Sequence, residues 1–393
     1  MPLVTRQLAS RLAGLEVNAL VAAGTLPAAI FDDARVSASP TPIFDLNGEV
    51  LFHRVALRAK ESVGMFADIA ASPVFGDTLL RVSHGLVWDE KALIAAAEAA
   101  AKKQQRGFRY DTARFVAYSY PKVAVQFLAG NEEVAMIELG SWTPVPPARK
   151  RPRKEDEPPA DFERWSLIEE YPRYKPAAGE RRITEKIRQW EEIAPATGRF
   201  DPRVISSERF VKEFAAVTAF RVDTRRVAYG PRAGDHVPCY ELQGQETSVW
   251  CVAASVQMIL DFYRYNYDQT RIAADLGLGT LANPNGLPYT SDGLVVTVLE
   301  ALTSNALDAS MNTTPSWTEF RSEVRANRPL ISFIPGHSRT VAGYTASTIF
   351  SWSTFRGLLV YDPWPPTTGV ITQWENFDTS TYRRTFTAAV KLV

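Results

Sequence analysis

The chain predicts an α+β fold, and three observations predict it. In the second half, helical apolar runs between residues 245 and 326 give way to strand-like runs from 329 onward. In the first 143 residues, short apolar strands bounded by Gly, Asn and Pro alternate with two helical patterns. Between these regions lies the proline- and charge-rich stretch from Pro144 to Pro159. The predicted organisation is a small α+β domain at 1–143, a charged Pro-rich linker with a helix at 144–205, and a second domain at 206–393.

The first region opens with a helix from Leu3 to Ala23, ended by Gly24. Ile43 to Val55 reads as a hairpin turning at Asn47-Gly48. Further strands are expected at Thr78–Val82, Phe115–Tyr120, Val123–Leu128 and Val134–Leu139, the last two joined by Gly130-Asn131. Asp89 to Lys103 is an alanine-rich helix. Together they predict a small antiparallel sheet with helices.

In the linker, the basic run Arg149–Lys154 is neutralised at once by Glu155-Asp156-Glu157. It reads as solvated, protease-accessible chain and not as a nucleic-acid patch. Helices are expected at Arg181–Glu192 and Ser207–Ala216, then a strand at Ala219–Tyr229. In the second domain the pattern gives helices from Cys251 to about Tyr263, Asp268–Leu276, Ser291–Leu302 and Trp317–Ala326, the last capped by Ser316 or Thr314. Strands follow at Pro329–Ile334, Thr340–Thr345, Gly357–Tyr361, Val370–Trp374 and Arg384–Val393.

The totals narrow the function. Of 393 residues 46% are apolar and 22% charged, enough for two cores, and 44 basic residues balance 44 acidic ones. No nucleic acid and no membrane partner is therefore expected. Arg11, Glu16 and Asn18 interrupt any signal-peptide core, and no run of about 18 apolar residues occurs. A cytoplasmic protein is expected, or a secreted one whose leader has been removed. The two cysteines, Cys239 and Cys251, exclude a disulfide-dense scaffold and a cysteine-only zinc site. Neither a metal nor a cofactor is called for.

The chemistry gathers at Gln245-Glu-Thr-Ser-Val-Trp-Cys251, a turn entering an apolar helix. With Ser248 as N-cap, Cys251 falls in the first turn, where the helix dipole and unpaired N–H groups favour a thiolate. Gln245 can aim its amide at the oxygen of a carbonyl under attack. A Cys239–Cys251 bridge would silence this thiol. Of the four histidines, His53 and His84 lie in the first region and His236 in a polar loop. His337 follows a strand across Pro335-Gly336, at the mouth of a sheet, where an imidazole can serve a thiol as base. Asp362, at the end of another strand, can orient the ring.

Gln245, Trp250-Cys251 with Ala253-Ala254 and Met258, Gly336-His337 with Val341-Ala-Gly-Tyr344, and Tyr361-Asp362-Pro363-Trp364 together resemble papain-like cysteine peptidases. The resemblance covers about residues 235–393 and is nearest the bacterial branch that includes bacteriocin-leader-processing peptidases. It implies Cys251 as nucleophile, His337 as base and acid, Asp362 as the orienting residue and Gln245 as the oxyanion-hole residue. The implied reaction is cleavage of a peptide or protein substrate through a thioester, with no cofactor. An acyltransferase or deamidase using the same thiol, and an inactive peptidase-fold binding or toxin-associated module, are the other readings. The Gly279–Ser291 loop and the aromatic run Phe350–Phe355 are expected to wall the cleft.

Asn47 to Val55, Gly64 to Ala70 and Leu79 to Ser83 resemble the propeptide-type domains (PepSY-like) that precede some bacterial proteases. That resemblance implies a first domain packed on the active-site cleft, either as a self-inhibiting piece released near Arg149–Lys154 or as a permanent structural or recruiting domain.

Overall fold

The Thr5 hydroxyl accepts from the Leu8 N–H at 3.3 Å and so starts α1 (Arg6–Ala22), which runs until Gly24 turns the chain at φ 72°. The structure is a computed structural model describing residues 3–59, 64–84, 87–147, 163–193, 200–216, 218–229 and 240–391. The basic run Arg149–Lys154, His236 and Cys239 lie outside the described residues.

A short α2 (Ala28–Phe31) and β1 (Arg35–Val36) lead into the expected hairpin, β2 (Thr41–Asp45) with β3 (Val50–Arg58). Next come β4 (Met65–Ala70), β5 (Leu79–His84), α3 (Glu90–Gln104) capped by Asp89, and the meander β6 (Thr112–Ser119), β7 (Lys122–Ala129) and β8 (Glu132–Glu138). β4 has no counterpart in the sequence reading. All six of its residues are buried, Asp68 among them in ion pairs with Arg54 and Arg81, so no alternation marks it as a strand. The antiparallel expectation also needs correcting: β2 pairs with β6 in parallel, Ile43 opposite Phe115.

The middle of the chain supplies α4 (Leu167–Glu170), α5 (Pro176–Ile193), α6 (Ser207–Phe214) and β9 (Arg221–Arg226). α5 begins five residues before the charged pattern that announces it. It lies tight on the first region: a Cβ at Gly179 would sit 1.7 Å from the Pro73 carbonyl oxygen. Lys186 reaches Asp77 at 2.6 Å and Glu16 at 2.9 Å, and these anions hold its ammonium charged against the cost of burial.

The last third holds α7 (Cys251–Phe262), α8 (Gln269–Leu276), the small hairpin β10 (Gly279–Thr280) and β11 (Asn283–Pro284), and α9 (Leu294–Leu302). Then come β12 (Leu307–Asn312), α10 (Trp317–Arg325) capped by Ser316, β13 (Leu330–Ile334), β14 (His337–Phe350), β15 (Ser353–Asp362), β16 (Val370–Asn376) and β17 (Arg384–Val390). β12 is a second strand absent from the sequence reading. Leu307, Ala309 and Met311 alternate with Asp308, Ser310 and Asn312, but Met311 is exposed and the run is short, as an edge strand allows.

The architecture is a mixed α/β one, built on a large sheet ordered β12-β17-β13-β14-β15-β16-β5-β4-β3-β2-β6-β7-β8. The central seam is β16 against β5, with Ile371 opposite His84 and Glu375 opposite Arg81. At this seam the Trp374 indole N–H donates to the Thr25 carbonyl at 2.7 Å, and the Asn376 amide donates to Leu79 O at 2.9 Å and to Asp77 at 3.0 Å. The largest apolar cluster spans it, uniting Leu15, Phe52 and Leu80 with Phe350, Leu359 and Trp374. Separate clusters seat α7, α8 and α9 on β12, β13 and β17, and α10 on β14 and β15. Among the described residues no helix is long and apolar enough to cross a membrane.

Candidate active site

Pro335-Gly336 forms a two-residue turn between β13 and β14, with Gly336 at φ 63° and Ile334 paired to His337. This turn sets His337 at the first position of β14, while Asp362 ends the neighbouring β15. The His337 Nε2 and Asp362 Oδ1 lie 2.6 Å apart, both residues buried. The same carboxylate oxygen accepts the Trp364 backbone N–H at 3.0 Å. The other ring nitrogen, Nδ1, is buried with no hydrogen-bond partner among the described residues.

Burial works on both partners. Desolvation lowers the His337 pKa below its ordinary value, with Lys122 and Arg339 adding to the effect and Asp362 opposing it. For Asp362, desolvation alone would raise the pKa. The His337 ring, Arg339 and the Trp364 N–H outweigh it, and the carboxyl is held below its usual range. Burial thus disfavours the imidazolium, while the surrounding donors and cations favour the carboxylate. Arg339, two residues along β14, is itself held by a buried, two-pronged ion pair to Glu375, which also accepts from Ser380 and Tyr382.

Cys251 is the first residue of α7, and its thiol is fully buried. Ser248 does not cap this helix, contrary to the sequence expectation. The N-cap is Trp250, which makes no side-chain cap but anchors the helix start by donating its indole N–H to Leu278 O at 3.1 Å. One turn along, Ser255 accepts a hydrogen bond from Ser338, and Met258 meets Thr340 at 3.5 Å. This register lays α7 along β14 so that the turn bearing Cys251 lies at the His337 end of the strand.

Gln245 is buried and stitched to the chain that follows Asp362. Its N–H donates to Pro363 O at 3.0 Å and its carbonyl accepts from Thr367 N at 2.8 Å. Gly244 permits that approach, since a Cβ there would lie 2.5 Å from the Thr367 carbonyl carbon. The Gln245 side-chain amide donates one N–H to Thr247 O at 2.7 Å, which leaves its second N–H for another acceptor.

Two charged residues beside the site come from the first region, and the sequence reading missed both. Lys122 begins β7, is fully buried and bears on His337. Glu138 ends β8 and accepts from the Trp364 indole at 3.1 Å. Each stands at one end of a strand beside apolar residues, Lys122-Val-Ala-Val and Met136-Ile-Glu-Leu139, and a charge against such a run is the signal that was available. The Phe350–Phe355 run is not a cleft wall. Phe350 lies at the far end of β14 from His337 and packs on Trp190, Phe210 and Phe214 of α5 and α6.

No curated protein matches the chain. Residues 236–390, which carry Gln245, Cys251, His337 and Asp362, match the Peptidase_C39 like family, and the match supports a C39-type cysteine peptidase in this part of the chain.

Proposed function

We propose that the protein is a cysteine peptidase, papain-like in its chemistry, in which Cys251 attacks a peptide carbonyl. The observation that carries this reading is the 2.6 Å His337–Asp362 pair, with Nδ1 buried and unpartnered among the described residues at the end of β14 along which the Cys251 helix lies. His337 takes the thiol proton through Nδ1 while Asp362 holds Nε2. The thiolate adds to the carbonyl carbon, and the oxyanion is met by the Cys251 N–H and the spare N–H of Gln245. His337 then protonates the leaving amine. Water, losing its proton to His337, hydrolyses the thioester and restores the thiol.

Cys251, His337, Asp362 and Gln245 are all buried, which supports a closed resting form with the first region as its cover. Burial and the Lys122 cation both oppose the imidazolium that the reaction needs, so opening the site and charging His337 are coupled. Cys251→Ala in the full chain tests the assignment. Peptide cleavage is expected to vanish with the unfolding midpoint little changed, and undiminished cleavage would overturn it.

A further inference from the structure

Glu138 is only 2% exposed, and both of its carboxylate oxygens accept hydrogen bonds. Oε1 accepts from the Trp364 indole N–H at 3.1 Å and from the Tyr118 hydroxyl, and Oε2 accepts from Ser141 at 2.6 Å. Trp364, also 2% exposed, gives its backbone N–H to Asp362 Oδ1, the oxygen that holds His337. An unbroken run of buried hydrogen bonds therefore leads from β8 through Trp364 and Asp362 to the imidazole. Packing follows the same path, since a Cβ at Gly140 would lie 2.4 Å from Pro365 Cβ.

We infer that Glu138 is a positioning residue for the Asp362–His337 pair, acting through Trp364, and that the first region is thereby a working part of the site and not a cover to be shed. Without Glu138 the buried indole N–H has no acceptor, and an unpaired buried donor turns toward another partner. Trp364 then carries its backbone N–H away from Asp362, and Asp362 loses one of the two bonds that fix it. The seam between β16 and β5 points the same way, because detaching the first region would break the hydrogen bonds there as well.

This inference rests on the peptidase reading, and one experiment separates their failures. The probe is iodoacetamide, with the rate of Cys251 carbamidomethylation followed from pH 5 to 9 in full-length protein, so no substrate need be known. Opening of the buried site enters the profile of every variant alike, so the comparison between variants reads the pair. In the wild type the inflection is expected well below the ordinary thiol value of about 8.5. In Glu138→Leu it is expected to move up by about one unit, with the rate at pH 6.5 down about tenfold. Glu138→Gln, which keeps a carbonyl oxygen for the indole, is expected to stay near wild type. Should Glu138→Leu not fold, Trp364→Phe removes the same bond from the other side and must give the same upward shift. A Glu138→Leu or Trp364→Phe profile identical to wild type, with only a lower unfolding midpoint, overturns the positioning role alone. Glu138→Gln as damaged as Glu138→Leu also overturns it. An ordinary thiol inflection in the wild type removes the peptidase reading and this inference with it.

Discussion

The Ser338 hydroxyl donates to Ser255 Oγ at 2.9 Å, one helical turn beyond Cys251 and one residue beyond His337. This buried bond fixes the register of the thiol-bearing helix on the strand that begins with the imidazole. Ser255→Ala leaves a buried donor without its acceptor and is expected to cost about 1–3 kcal/mol. Replacing both residues by Ala removes donor and acceptor together, so the double variant is expected to cost less than Ser255→Ala alone. Urea unfolding of the two variants measures the difference. A double variant less stable than the single one would show that the bond does not set the contact.

Asp362 acts on His337 by charge and by geometry, and two substitutions separate the effects. The Asp362 charge raises the His337 pKa against burial, Lys122 and Arg339. Asp362→Asn keeps an oxygen for Nε2–H but loses the charge, so His337 is expected to titrate at still lower pH than in the wild type. A histidine ring-proton titration by NMR reads this directly. Asp362→Ala loses orientation too and is expected to be slower than Asp362→Asn by about tenfold in kcat/KM. Equal rates for the two would mean that the geometry is held by something else.

Asp261, ten residues along α7 from Cys251, is buried with neither carboxylate oxygen hydrogen-bonded among the described residues. Burial, with a smaller push from Glu241, raises its pKa from 3.8 to about 7. A raised folded-state pKa means that the folded chain holds this proton more tightly than the unfolded one. Its contribution to stability is whole below about pH 4 and is lost as pH rises through about 7. Asp261→Asn, neutral throughout, is therefore expected to stabilise the fold at pH 8 by about 1–3 kcal/mol. The gain should shrink toward zero at about pH 3.5. Denaturant unfolding at the two pH values checks it, and a gain that does not depend on pH would contradict the titration.

Local chemistry was legible where it decides structure. Asp89, Asp268 and Ser316 cap helices that the sequence places within a residue or two, and Asn47-Gly48 turns the hairpin it signals. Pro335-Gly336 likewise sets His337 at a strand start. Ser248 looked equally like a cap and is not one, because the helix start is held by a tertiary bond from Trp250 to Leu278. β4 was hidden by burial on both faces, and β12 by exposure at an edge. Lys122 and Glu138 reach the site from more than a hundred residues away in sequence. The pairing of β5 with β16 helps bring their region there, and no spacing along the chain encodes that pairing.

The seam has a consequence for anyone dividing the chain at its proline-rich middle. A piece beginning near residue 206 would carry β16 with a bare row of amide and carbonyl groups from Ile371 to Glu375, the register that otherwise receives His84 to Arg81. Such an edge invites any strand at hand, including β5 of another copy. Cut fragments would therefore be prone to find each other again, exchange between molecules or precipitate. The place where the sequence looks most separable is not where the molecule comes apart cleanly.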